Sequence, residues 1–71
     1  MNLDTFKDIR HFKEMTQQQY ADWLGLSLSS IAMIESGQRR VTDNIRGKLA
    51  HKFMITDEFI EYQERRNKLI G

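Results

Sequence analysis

Apolar residues along this chain recur every three or four positions instead of alternating, and β-branched clusters are sparse, a pattern that predicts helices throughout and no strands. Leu3, Phe6, Ile9 and Lys13 fall on one helical stripe, widened by Phe12 and Met15, which gives a first helix over Leu3 to Glu14. Thr16, followed three residues later by Gln19, fits a capping box and opens a second helix from Gln17 to Leu24, with Tyr20, Ala21 and Leu24 facing inward. Gly25 stops it. After only Leu26, Ser27 is placed to cap a third helix over Leu28 to Ser36, whose inward residues are Ile31 and Ile34.

Beyond Gly37 the stretch Gln38 to Val41 reads as a polar, basic loop. Thr42 then caps a fourth helix carrying Ile45, Leu49, Ala50 and Phe53, with Met54 and Ile55 closing it. Thr56, followed by Asp57 and Glu58, caps a fifth helix from Asp57 to Ile70. Along it Glu61 with Arg65 and Glu64 with Lys68 form i,i+4 pairs worth about 0.2 to 0.5 kcal/mol each. Its apolar residues Phe59, Ile60, Tyr62, Leu69 and Ile70 make an interrupted stripe, which predicts a helix only partly docked.

Seventy-one residues make a single domain over positions 1 to 71, and so short a chain buries only about 60% of the surface its unfolded form exposes. The core is therefore small. There are no cysteines and no prolines, so disulfides and thiolate metal sites contribute nothing. No apolar run approaches the roughly 20 residues a membrane span needs, and the N-terminus, charged from Asp4, has no apolar signal-like segment. The expectation is a cytoplasmic protein with no membrane partner.

Net charge is only +1, but its distribution is uneven. Residues 25 to 50 sum to +2, against -1 for residues 1 to 24 and zero for residues 51 to 71. Arg39, Arg40, Arg46 and Lys48 supply that positive excess, which sits around and after the third helix. His11 and His51 stand alone without a second ligand at helical spacing, so no metal is expected. No nucleophile, base and orienting acid cluster, and no glycine-rich phosphate loop occurs; the reading is not an enzyme, with no cofactor and no small-molecule ligand.

Two short helices joined by a tight glycine turn must cross steeply, the arrangement that offers one helix to a DNA major groove while the preceding helix crosses the phosphate backbone. The run FKDIRHFKEMTQQQYADWLGLSLSSIAMIESGQRR, Phe6 to Arg40, resembles the Cro/CI-type (XRE family) helix-turn-helix of phage repressors. The positions that carry the resemblance are Phe6, Ile9, Arg10, Thr16, Gln17, Ala21, Leu24, Gly25, Ser27, Ser30, Ile31, Ile34, Glu35 and Gly37. It continues more loosely through KLAHKFMITDEFI. The resemblance implies an all-α, five-helix lambda-repressor-like domain with its helix-turn-helix at 17 to 36, which binds operator double-stranded DNA as a homodimer.

It further implies that Arg10 pairs with Glu35, that Gln17, Gln38, Arg39 and Arg40 meet phosphates, and that Ser27, Leu28, Ser29, Ala32 and Met33 face the bases. The plain alternative is that Gln17 completes a helix terminus and the arginines are solvated surface charges. None of the base-facing residues is an Arg, Asn or Gln able to grip a guanine or adenine edge with two hydrogen bonds. An apolar surface of this kind suits a protein as well as DNA. The chain therefore also resembles, in size and pattern, the small Cro-like modulators or antirepressors of temperate phages that bind the cognate phage repressor protein. Trp23, exposed or packed over the first helix, belongs to the same question.

Overall fold

The structure, a computed structural model, describes residues 2–70. Among them are five helices and no strand: α1 (Leu3–Phe12), α2 (Gln17–Leu24), α3 (Leu28–Glu35), α4 (Asp43–Lys52) and α5 (Asp57–Ile70). No helix is long and apolar enough to cross a membrane. Each start is fixed by a side-chain oxygen that satisfies an otherwise unpaired amide. Asn2 accepts from Thr5 N, Thr16 from Gln19 N, Ser27 from Ser30 N, Thr42 from Ile45 N and Thr56 from Phe59 N. At Thr16 the capping box is complete, because the Gln19 side chain accepts in turn from the Thr16 amide at 2.9 Å.

The first three helices end in the same way. After α2, the amides of Gly25 and Leu26 donate to the carbonyls of Asp22 and Ala21, with Gly25 left-handed at φ +71. After α3, Gly37 and Gln38 donate to Ile34 and Met33, with Gly37 at φ +85. These are Schellman closures, which need a residue at positive φ. α1 closes by the same pattern through Glu14 and Met15, but here the left-handed residue is Glu14, at φ +55. The helix therefore stops at Phe12, two residues before the end its apolar pattern suggests.

The core comprises Phe6, Ile9, Tyr20, Ala21, Leu24, Ile31, Ile34, Ile45, Leu49 and Phe59. α1 lies between α3 and α5, and α2 packs against α3 and α4. Fully burying a large apolar side chain stabilises by about 1.5 to 3 kcal/mol, so this single cluster supplies most of what holds the helices together. Tyr20 is buried with its hydroxyl donating to the Phe6 carbonyl at 2.8 Å, which satisfies the one polar atom that burial would otherwise leave unpaired.

Two expectations for the C-terminal third are corrected. α4 ends at Lys52: Phe53 is extended, so that its ring meets those of Phe12 and Phe59 edge-on at 6.1 and 5.0 Å. Met54, 80% exposed, and Ile55 then form a linker and close no helix. α5 is partly docked, as its interrupted stripe predicts: of its apolar residues Phe59 is buried and Tyr62 half-buried, while Ile60 and Leu69 face solvent; the expectation for the Ile70 side chain lies outside the described residues. Neither Glu61 with Arg65 nor Glu64 with Lys68 forms an ion pair among the described residues. Arg66 instead bonds Asp8 across to α1 at 3.1 Å.

Candidate functional site

α3 presents two unlike sides. Ile31 and Ile34 are fully buried, whereas Leu28 is 44% exposed, Ser29 and Ala32 are exposed, and Met33 is half-buried. α3 also has a charged tie to the rest of the domain. Arg10 of α1 provides it by donating to Glu35 through Nε at 2.7 Å and Nη2 at 2.9 Å, the paired geometry that suits guanidinium and carboxylate. The two side chains are only 15% and 7% exposed. Arg10 Nη1 also donates to the Met15 carbonyl at 3.0 Å, tying the α1 closure into the same cluster.

Gln17 joins this cluster, since its amide Nε2 donates to Glu35 Oε1 at 3.2 Å. Its primary contact is thus internal, and Glu35 gathers donors from both preceding helices. An amide nitrogen carries two N–H donors, so the bond to Glu35 orients Gln17 at the start of α2 without using both. The charge of Glu35 is also felt by Tyr20, whose hydroxyl pKa is pushed up chiefly by burial and secondarily by that carboxylate. His11, beside Arg10, has its pKa lowered by burial first and then by the charges of Arg66 and Arg10.

At the far end of α3, Gly37 turns the chain so that Gln38, Arg39 and Arg40 are all exposed. The amides of Gln38 and Arg39 both donate to the Met33 carbonyl, at 2.8 and 3.1 Å, folding this basic loop against the helix. Arg39 reaches back to donate from Nη1 to Ser30 Oγ at 3.0 Å. Ser27, exposed at the cap, donates its hydroxyl to the same oxygen at 2.9 Å. A groove of about 790 Å³ runs from Leu26 and Ser30 past Arg39, Arg40 and Thr42 to Arg46. Arg46 pairs with Asp43 on the same turn of α4.

Of the residues singled out in the sequence, Ser27, Leu28, Ser29 and Ala32 are exposed along the helix and Met33 is half-buried, and Gln38, Arg39 and Arg40 are exposed just past its end. Ala21, fully buried, belongs to α2, which packs against α3 and α4. Trp23 is half-buried, stacked on Tyr20 at 6.0 Å, with Lys13 and Lys52 ammonium groups 5.1 and 5.9 Å from its ring. Lys13 directly follows α1 and Lys52 ends α4.

Sequence reasoning missed one buried charge. Asp8 is 4% exposed and accepts from Gln63 at 3.1 Å and Arg66 at 3.1 Å, while Gln63 also donates to Thr5. Its spacing from Thr5 and Phe12 places it on the side of α1 that meets α5, the one available signal. An apolar groove of about 490 Å³ between Ile9, Leu49, Ala50, Phe53, Met54 and Ile55 was likewise not foreseen, because it exists only once α4 stops at Lys52. Among the described residues no three His, Cys, Asp or Glu side chains are grouped to hold a metal ion. Comparison with protein-family models, curated proteins and solved structures returns no match.

Proposed function

We propose that this chain is a DNA-binding transcriptional regulator of a phage or prophage genetic switch, acting in the bacterial cytoplasm without catalysing a reaction. α2 and α3 serve as a Cro/CI-type helix-turn-helix in a lambda-repressor-like fold, with α3 entering the major groove of an operator. The observation that carries this reading is the conjunction at α3: an outward helix face braced from behind by the Arg10–Glu35 pair and ending in an exposed arginine loop. Brace and positive charge together suit a polyanion with a groove. Gln17 and Gln38 add amide donors beside the backbone, and Arg40 supplies charge.

The test is duplex binding followed across salt concentration. Each phosphate neutralised contributes about 0.9 to the slope of log affinity against log salt. Arg40→Ala should therefore weaken binding to all sequences alike and flatten the slope by about one unit. An unchanged slope contradicts the phosphate role of this loop.

A second reading is favoured by Leu28 and Met33, an apolar pair at the front of α3. The same surface then docks on a cognate phage repressor protein, as an antirepressor or modulator of repression would. In that case Met33→Glu abolishes co-purification with the repressor while Arg40→Ala leaves it intact; retention after Met33→Glu removes the idea.

A further inference from the structure

We infer that Arg39 reads sequence, taking a guanine edge from the flank of α3, whereas its neighbour Arg40 meets only the backbone. This rests on the DNA reading above and assigns the one donor fork that reading lacks. Leu28, Ser29, Ala32 and Met33 offer no side chain able to make two parallel hydrogen bonds to a base. Arg39 has such a fork and is held as a base reader must be.

The hold has two parts. Its backbone is tied to α3, because its own amide and that of Gln38 both end on the Met33 carbonyl. Its side chain then runs back along the helix by one turn, from Met33 to Ser30, where Nη1 donates to Ser30 Oγ at 3.0 Å. Ser30 is itself engaged by the Ser27 hydroxyl at 2.9 Å, so a chain of hydroxyls at the start of α3 sets the direction of the guanidinium. That is the end of the helix that goes deepest into the groove in this class of docking.

Guanidinium carries five N–H donors, and one of them is used on Ser30. The rest keep the planar fork that matches guanine O6 and N7. A phosphate contact has no need of a fixed direction, since a flexible cation finds its partner. Arg40 fits that description, exposed and without a hydrogen bond or ion pair among the described residues. Ser30 is then a positioning residue and Arg39 the reader.

The experiment selects preferred duplexes from a random library with the wild-type chain, then repeats the selection with Arg39→Lys, Arg39→Ala, Ser30→Ala and Arg40→Ala, each checked for helical content. The wild type should select a guanine at one position per half-site. Arg39→Lys keeps the charge and should bind random duplex as before, yet lose that guanine, with affinity for the selected sequence falling about tenfold or more. Ser30→Ala should blur the same position only, and Arg40→Ala should leave the selected sequence unchanged. Arg39→Lys selecting the wild-type sequence overturns the inference, as does equal weakening of selected and random duplex by Arg39→Ala. Wild type that binds duplex without preferring guanine overturns it while sparing the DNA reading, and wild type that binds no duplex at all sinks both.

Discussion

Two charged side chains leave α1 only two positions apart, and on a helix that sends them to nearly opposite sides: Arg10 crosses to Glu35 of α3, and Asp8 crosses to Arg66 of α5. The settings differ. Glu35 receives two bonds from Arg10 and one from Gln17, behind a helix whose Ile31 and Ile34 are fully buried. Past Phe59 and Tyr62, α5 relies on a polar seam of Gln63 and Arg66, and Leu69 near its end is 89% exposed. One helix is clamped by core and charge together, the other by an aromatic anchor and then by polar bonds. A surface that must meet a partner in one fixed geometry belongs on the first kind of support.

Removing Glu35 should break the comparison most severely. Glu35→Ala leaves the Arg10 guanidinium largely buried without its carboxylate and also frees Gln17, so a loss on the order of 3 to 5 kcal/mol is expected in urea denaturation. That is a large part of the roughly 5 to 15 kcal/mol a small domain possesses. A cost near that of an exposed pair, under about 1 kcal/mol, would show that α3 is held by its core residues alone.

Asp8→Ala tests the other seam. Arg66 is a quarter exposed and has water to fall back on, so the expected cost is smaller, about 1.5 to 3 kcal/mol for hydrogen bonds to a charged group. Hydrogen exchange should localise it: amides of residues 62 to 69 should exchange faster while those of α3 keep their protection. Equal loosening of α3 and α5 would mean that the two seams act as one unit.

Gly25→Ala is the mildest of the three. A Cβ at Gly25 meets nothing nearer than Lys48 Nζ at 3.9 Å, so its cost comes from the left-handed backbone alone. About 1 to 2 kcal/mol is expected, read as a lower melting temperature. A larger loss would point to a change in how α2 and α3 meet.

The sequence made the α2–α3 half readable because its signals are local. Thr16 with Gln19, Ser27, Gly25 and Gly37 each fix a helix end within a few residues, and the structure places the ends there. Elsewhere local signals misled. Glu14 took a left-handed conformation that glycine usually fills, and it shortened α1. Phe53 left the helix to reach Phe12 and Phe59, which exposed Met54 and created the groove beside it. Arg66 turned from its neighbours on α5 to Asp8, a residue 58 positions away whose burial no periodicity announces. The residues of the proposed interface were legible as a list, but the bond of Gln17 to Glu35 and that of Arg39 to Ser30 were not.

The most direct test of the proposed interface is a titration of isotopically labelled protein with duplex DNA at low salt, followed through backbone amide shifts. Shifts concentrated at residues 17, 27 to 33 and 38 to 40, fading as salt rises, are the result expected if α3 and its arginine loop meet DNA. Shifts centred on α5 or the Met54 linker, or no shifts at any salt, would contradict it.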